Sequence, residues 1–393
     1  MNTEAAISRR RVLYFHAGAE LYGADKILCI LVAGLRPRGW DATVVLPWAG
    51  ELKPLLELVG AEVIVLNHGV LRRKYFTPCG LFDRMRRIFS AAIRMARLAE
   101  RRNVALVYTN TSVVLAGALT ALLARRPHIW HIHEITTRPK AVRKLLSWLI
   151  PRAASSVICV SNAVLKHLEA GDTMNRRKGR VIHNGIERMI AGSEDRIRVR
   201  RELGLGNDEV LVGMVGRVNS WKGQMALLDA AKYVIAGDAK VRFLCVGGTF
   251  AGEEQLMADL ERRAEETDFA GRVTVWGFRN DVAAIMAAVD IFALPSTQPD
   301  PLPTVVLEAM SLARPIVGFE HGGVCEMVEN GSTGLLVTAC DVEALARAIL
   351  KLSRDDAMRD RFGSAGRLRF EQGFSILAFL NSIGAAYEGA IAG

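Results

Sequence analysis

Short apolar runs alternate with segments of helical periodicity along almost the whole of this chain. That alternation restricts the fold more than any other feature. Val12–His16, Ala42–Leu46, Glu62–Leu66, Ala105–Thr109, Ile129–His133 and Ser156–Val160 read as strands buried on both faces. Such runs, separated by helices, build a parallel sheet covered on both sides, because right-handed crossovers put the helices there. The pattern then restarts. Glu209–Val215, Val241–Val246, Val273–Trp276, Ile291–Leu294, Pro315–Gly318 and Leu335–Val337 form a second strand set. The prediction is an α/β protein of two doubly wound parallel-sheet domains.

The stretch between the sets, Gly171 to Glu194, is polar and rich in Arg, Lys, Asn and Gly. It places the domain boundary near residue 190, with a first domain over 1–190 and a second over 191–373. A helical stretch from Ser375 to Ala392 follows Gly373 and either continues the second domain or crosses back to the first. Two open α/β sheets facing each other leave a cleft at the carboxyl ends of their strands, where ligands bind in such folds. The loops leaving those strands are therefore the place to look for chemistry.

A chain of 393 residues can bury a large core without a disulfide or metal staple. Its cysteines, at 29, 79, 159, 245, 325 and 340, form no CxxC and no zinc-ligand spacing. They read as reduced thiols of a cytosolic protein. The opening MNTEAAISRRR has no apolar run after its basic cluster, so no signal peptide is expected. Val104–Ala124 has the apolar character of a membrane span, but Tyr108, Thr109, Asn110, Thr111 and Ser112 interrupt it. A buried strand, a polar turn and a helix are predicted there instead.

Lys and Arg number 51 against 41 Asp and Glu, a net charge of +10, and the excess is concentrated early. Arg72, Arg73 and Lys74 precede Arg84, Arg86, Arg87, Arg94, Arg97, Arg101 and Arg102, interleaved with Leu81, Phe82, Met85, Ile88, Phe89, Ile93, Met95 and Leu98. The spacing predicts a basic amphipathic helix. A second basic stretch holds Arg138, Lys140, Arg143, Lys144 and Arg152 beside Trp148. Such faces are either solvated or meet an anionic membrane surface. Nucleic acid is not expected, because no base-stacking platform accompanies the charge. The expected location is cytoplasmic, with peripheral contact at the inner face of the membrane as the use of the basic helix.

Two loops carry the sharpest chemical signals. Val215-Gly216-Arg217-Val218-Asn219-Ser220-Trp221-Lys222-Gly223 follows a buried strand and opens a helix from Gln224 to Ile235. Arg217 can grip phosphate oxygens with a planar fork and Lys222 adds a point charge. A helix N-terminus favours an anion as well. The run lacks the GxxxxGK[ST] spacing of a Walker loop. The second loop, Gln298 to Met310, follows the strand Ile291–Leu294. Pro303 suits the first turn of a helix. Asp300 and Glu308 can each accept hydrogen bonds from vicinal hydroxyls, one per sugar ring of a nucleotide sugar. The backbone amides of Thr304 and Val305 can face its diphosphate.

GRVNSWKG, DPLPTVVLEAM and HGGVCEMVENGSTGLLV together resemble the donor half of the retaining glycosyltransferases of family 4. These have the GT-B fold, two Rossmann-like domains facing across a cleft. The resemblance covers nearly the whole chain and is most specific over 210–340. The family's motif is E-x7-E, and Asp300 stands here in place of the first Glu, at the same spacing from Glu308. The resemblance implies that Arg217 and Lys222 clamp the donor diphosphate, that Glu308 binds the ribose and that Asp300 binds the hexose. In the first half, Tyr22-Gly23-Ala24-Asp25-Lys26 resembles the family's glycine loop, whose backbone approaches the diphosphate or the acceptor. In His131-Ile132-His133-Glu134, alternation puts His131 and His133 on one side. The family has a histidine followed by an acid at this strand end, and His133 matches it. This implies that its imidazole orients the donor sugar and steadies developing positive charge. His183-Asn184-Gly185-Ile186 resembles the segment at the domain crossing, and His321-Gly322-Gly323 through Glu326 a loop that wraps the donor. Tyr108-Thr109-Asn110-Thr111 is a strand-end loop suited to the acceptor.

There is no DxD motif, so the Lys and Arg clamp is expected to neutralise the leaving diphosphate with no metal and no other cofactor. The His131/His133 pair lacks a third ligand at a convincing spacing. The expected function is retaining transfer of a hexose from a nucleoside diphosphate sugar to a hydroxyl. The acceptor would be a saccharide or lipid-linked saccharide in cell-surface polysaccharide or glycolipid synthesis. Two alternatives stay open: a non-catalytic GT-B scaffold, and a nucleotide-sugar 2-epimerase-like enzyme. A nicotinamide dehydrogenase is disfavoured, because His16-Ala17-Gly18-Ala19-Glu20 stands where GxGxxG would follow strand one.

Overall fold

The computed structural model describes residues 9–21, 23–136, 139–170, 178–250 and 252–393. The chain divides into two compact units, one of residues 1–185 with 376–393 and one of residues 186–375.

The first unit is built on β1 (Arg10–His16), β2 (Trp40–Leu46), β3 (Glu62–Val65), β4 (Val104–Asn110), β5 (His128–Ile132), β6 (Ser156–Cys159) and β7 (Gly179–Val181). They lie parallel in the order β3-β2-β1-β4-β5-β6-β7. Val12, Leu13, Phe15, Val44, Val45, Leu106 and Val107 are buried, as expected of strands covered on both faces. The second unit holds β8 (Val210–Val215), β9 (Val241–Val246), β10 (Val273–Trp276), β11 (Ile291–Leu294), β12 (Ile316–Phe319) and β13 (Gly334–Val337). Their order is β10-β9-β8-β11-β12-β13, again parallel. Strand order reverses between β1 and β4 in one sheet and between β8 and β11 in the other. Those reversals open a crevice beyond the strand ends where open α/β sheets take their ligands.

Three local expectations change. The polar stretch from Gly171 contains β7, a three-residue edge strand with Arg180 exposed, too short to show a pattern; residues 171–177 lie outside the described residues. The strand expected over Ile129–His133 ends at Ile132, so His133 is the first residue beyond it. Arg72, Arg73 and Lys74 lie outside the basic helix, which begins at Pro78; Arg73–Tyr75 form a separate 3-10 turn.

Val104–Ala124 separates into β4 and the helix Ala116–Ala124, joined through Thr111 at φ +94. Among the described residues no helix is long and apolar enough to cross a membrane. The basic helix runs Pro78–Arg101, capped by Thr77 Oγ1, which accepts from Gly80 N–H at 3.1 Å. Its inward face is Ile88, Ala91, Ala92, Met95, Ala96 and Ala99, against the cluster around Val107 and Ala121. Leu81, Phe82, Met85, Phe89 and Ile93 remain exposed, Phe82 to 74%. The apolar stripe is thus wider than the core uses. The neighbouring basic helix Lys140–Ala153 likewise exposes Leu145 and Trp148.

The terminal helix Ile376–Ala392 belongs to the first unit. Tyr387 packs edge-on to Trp40, and its hydroxyl lies 3.0 Å from that of Tyr14. Glu388 pairs with Arg10. Gly34 admits this helix: a Cβ there would stand 2.1 Å from Leu380 Cδ1.

Candidate active site

In the second unit the predicted residues lie on the two loops at the strand reversal and on the helix Thr304–Ser311 that the second loop opens. After β8 the chain turns through Gly216, and Asn219 Oδ1 accepts from the N–H groups of Trp221 at 3.1 Å and Lys222 at 2.8 Å. This side-chain turn sets the approach to the helix Gln224–Gly237. Gly223, at φ +95, is the residue before it, and a Cβ there would fall 1.8 Å from the Pro295 carbonyl. Only glycine allows the loop after β8 to lie against the loop after β11. Thr297 N–H donates to the Trp221 carbonyl at 2.7 Å and locks the two together.

Lys222 and Asp300 meet as a result. Lys222 Nζ lies 2.5 Å from Asp300 Oδ2, with the side chains 17% and 10% exposed. Arg217 lays its guanidinium over the Phe250 ring, 3.6 Å from the centroid. Thr304 and Val305, both half-buried, are the first residues of the helix Thr304–Ser311, which has Pro303 before it and no side-chain cap. Uncapped amides at a helix start are ready donors for an anion. Glu308 is half-buried on the same helix. The His321 loop closes over the Asp300 loop: Gly323 N–H donates to the Asp300 carbonyl at 2.7 Å, and a Cβ on Gly322 would stand 2.5 Å from that oxygen. His321 Nε2 reaches the Ser296 carbonyl.

In the first unit the register aligns His16 with Asn110 and Asn110 with His131 at the ends of β1, β4 and β5. A continuous polar chain follows. Asp25 Oδ1 lies 2.6 Å from His16 Nε2, His16 Nδ1 2.9 Å from Asn110 Nδ2, and Asn110 Oδ1 2.8 Å from His133 Nε2. His133 Nε2 is 3.2 Å from His131 Nδ1, which meets the Tyr108 hydroxyl at 2.6 Å. One assignment satisfies the chain of contacts from Asp25 to His133. Asn110 donates N–H to His16 Nδ1, His16 donates Nε2–H to Asp25, and His133 donates Nε2–H to the Asn110 carbonyl oxygen. His133 Nδ1 is then left as an acceptor.

Burial pulls His131 down to about 3 and holds His133 well below the ordinary histidine range, helped by the neighbouring His131 and His16. His133 is therefore a neutral acceptor at pH 7, suited to a sugar hydroxyl and unable to repel positive charge developing on a sugar ring. Burial raises the Glu134 carboxyl, against the opposing pull of Ser112, whose N–H and Oγ–H donate to it at 3.1 and 3.2 Å.

Gly23 begins the helix Gly23–Leu35, and a Cβ there would meet open space, so packing does not demand glycine; Tyr22 lies outside the described residues. Among the described residues no three His, Cys, Asp or Glu side chains gather as metal ligands. His16 and Asp25 carry more of the site than their sequence context suggested. The signal that could have found them is position: His16 and Asn110 end the two strands at the order reversal.

Residues 22–188 match the family described as Glycosyltransferase Family 4, and residues 195–369 match that described as Glycosyl transferases group 1. An alpha-maltose-1-phosphate synthase of Mycolicibacterium smegmatis is 31% identical over 316 residues, 73% of this chain and 79% of the relative. The chain belongs to glycosyltransferase family 4. Another relative is a UDP-Gal:alpha-D-GlcNAc-diphosphoundecaprenol alpha-1,3-galactosyltransferase of Escherichia coli, 26% identical over 303 residues, 74% of this chain and 77% of the relative. The crystal structure of Anabaena Alr3699/HepE in complex with UDP superposes with a TM-score of 0.84 at 27% identity, covering 96% of this chain and all of that one. The fold of this glycosyltransferase is GT-B, as the resemblance implied, with its two parallel sheets of seven and six strands.

Proposed function

We propose that this glycosyltransferase moves a hexose from a nucleoside diphosphate sugar to a hydroxyl of a saccharide or lipid-linked saccharide, with retention, in polysaccharide or glycolipid synthesis. The observation that carries the reading is the Lys222–Asp300 pair at the mouth of the helix Thr304–Ser311. Lys222, Arg217 and the uncapped amides of Thr304 and Val305 supply positive potential for a diphosphate. Asp300 and Glu308 supply acceptors for hexose and ribose hydroxyls. The solved relative in complex with UDP and the galactosyltransferase acting on a diphosphoundecaprenol-linked sugar support UDP as the nucleotide and a lipid-linked acceptor.

In this reading the leaving phosphate oxygen takes the proton of the attacking hydroxyl on the same face of the sugar, so the configuration is kept. His133, neutral and fixed by Asn110, accepts a sugar hydroxyl and steadies the oxocarbenium-like charge. Lys222 and Arg217 neutralise the departing diphosphate without a divalent ion. Thermal unfolding with UDP-glucose, UDP-galactose and their GDP counterparts tests the donor, since a ligand of the folded state raises the melting temperature. NMR of the product reads the anomeric configuration. No shift with any nucleotide sugar, or an inverted product, overturns the proposal.

The first unit carries a surface suited to a membrane. Exposed Phe82 and Phe89 stand among the arginines of the helix Pro78–Arg101. Beside them a cavity of about 660 Å³ is lined by Met85, Phe89, Leu119 and Leu122 and rimmed by Arg126, Arg152 and Lys178. Apolar side chains flanked by cations suit the boundary of an anionic bilayer. Flotation with vesicles containing phosphatidylglycerol should carry the protein at low salt, and Phe82→Ser with Phe89→Ser should abolish it. Equal flotation on neutral vesicles removes the electrostatic part.

A further inference from the structure

A second cavity opens in the first unit, beside the loops that leave β1, β2 and β3. It measures about 310 Å³ and is lined by Glu20, Trp48, Val70, Arg72, Lys74 and Arg84, among others. This is the lower end of small-ligand sites, which run from roughly 300 to 1,000 Å³. It suits one sugar residue better than a chain.

Its charge is the informative feature. Arg72 lies over the Trp48 ring at 4.5 Å, and Lys74 lies 5.2 Å from the Tyr75 centroid. Among the described residues neither has a carboxylate partner; Arg72 reaches only the Ala17 carbonyl, at 3.4 Å. Arg84 is buried, lies 4.0 Å from the Tyr75 centroid and pairs with Asp83, and its Nε is buried with no partner. The rings of Trp48 and Tyr75 thus lie against Arg72 and Lys74, which have no paired carboxylate among the described residues, whereas Arg84 is countered by Asp83. Glu20, with Oε2 taking the Ala19 N–H at 3.0 Å, is the one carboxylate lining the cavity. Behind the cavity, His68 Nε2 bonds the His16 carbonyl at 3.0 Å, tying this wall to the strand end that orders His133.

We infer that this cavity recognises an anionic sugar of the acceptor, with Arg72 and Lys74 on its oxyanion and Glu20 accepting its hydroxyls. The oxyanion is a phosphate ester or a uronic carboxylate; both fit a guanidinium fork and an ammonium point charge. The inference rests on the transferase reading above and names the acceptor class for it.

The test uses the full chain saturated with UDP, so that the anion site of the second unit is filled. Glucose 6-phosphate, glucuronic acid, methyl glucoside and inorganic phosphate are titrated by calorimetry. One or both charged sugars should bind, more tightly than methyl glucoside and than inorganic phosphate, and which of the two binds identifies the oxyanion. The double variant Arg72→Ala, Lys74→Ala should weaken that binding roughly tenfold or more, the scale of a lost charged hydrogen bond. The pair Arg72→Lys, Lys74→Arg should restore part of it. Binding of methyl glucoside or bare phosphate as tight as that of the charged sugars, no binding of either charged sugar, or an unchanged double variant overturns the inference. The UDP-glucose melting shift separates the two readings. If it persists while the charged sugars fail, only the acceptor class falls. If no nucleotide sugar shifts the melting temperature, the transferase reading falls.

Discussion

Lys222 Nζ sits 2.5 Å from Asp300 Oδ2, so the cation assigned to the diphosphate and the carboxylate assigned to the hexose restrain each other. Their substitutions should separate. Lys222→Ala removes a charged contact to the nucleotide and should weaken UDP and UDP-sugar alike, by about 1.5–3 kcal/mol. Asp300→Ala removes the competitor for Lys222, so UDP should bind as well as before or more tightly while sugar transfer slows. Calorimetry with UDP and UDP-sugar, set beside turnover, reads the difference. Loss of UDP binding in Asp300→Ala would show that the carboxylate holds the loop rather than the hexose.

Asn110 is the only link between His16 and His133 among the bonds described. Asn110→Leu leaves both imidazoles without it and frees the His133 ring to turn. Turnover should fall about 100-fold, the lower scale of a misplaced acid–base or polar group. UDP binding, which the proposal assigns to the second unit, should be unchanged. Asn110→Asp should alter the pH profile instead, because a carboxylate favours protonated neighbours. If both variants keep the native rate and profile, the relay is structural only.

Acid should unfold the first unit ahead of the second. Burial lowers His68 and His128 to about 4 and His131 to about 3, against about 6.5 in an unfolded chain. As pH falls below about 6.5, the unfolded chain takes up protons that the folded one refuses, so stability falls with pH. Each group contributes up to ~1.4 kcal/mol per pH unit until its folded value is reached. Between residues 186 and 375 the sole histidine is His321. Hydrogen exchange between pH 7 and pH 4.5 should show protection lost first in β1, β4 and β5. Simultaneous loss in β8 and β11 would contradict this.

Gly223→Ala tests the contact between the two donor loops. The residue sits at φ +95, and its Cβ would meet the Pro295 carbonyl. Non-glycine residues held there cost of order 1–3 kcal/mol in backbone strain alone. The variant should melt at lower temperature and lose nucleotide affinity together, whereas Gly204→Ala, also at positive φ but with open space around it, should lose stability alone.

The second strand set was legible almost to the residue. Val241–Val246, Val273–Trp276 and Ile291–Leu294 begin and end as predicted, because buried parallel strands read as nearly continuous apolar runs, interrupted here only by Arg242 and Thr274. The basic helix was legible as a helix but not as a surface. Four alanines, Ala91, Ala92, Ala96 and Ala99, make most of its inward face beside Ile88 and Met95, while the larger Phe82 and Phe89 stay out, and periodicity weighs size the other way. The candidate residues were legible singly but not in their pairings, and His16 was not legible as one of them. Lys222 and Asp300 are 78 positions apart and His16 and Asn110 are 94 apart. Each pair meets because β8 lies beside β11 and β1 beside β4, an order that local pattern does not encode.

The terminal helix gives synthesis a definite sequence of events. The second unit is one unbroken segment, whereas the first needs residues 376–393 to cover Tyr14 and Trp40. On the ribosome the later-made unit can close while the earlier-made one still lacks a wall. The nascent chain therefore carries an unfinished amino-terminal sheet, and its exposure to chaperones and proteases, until residues 376–393 emerge.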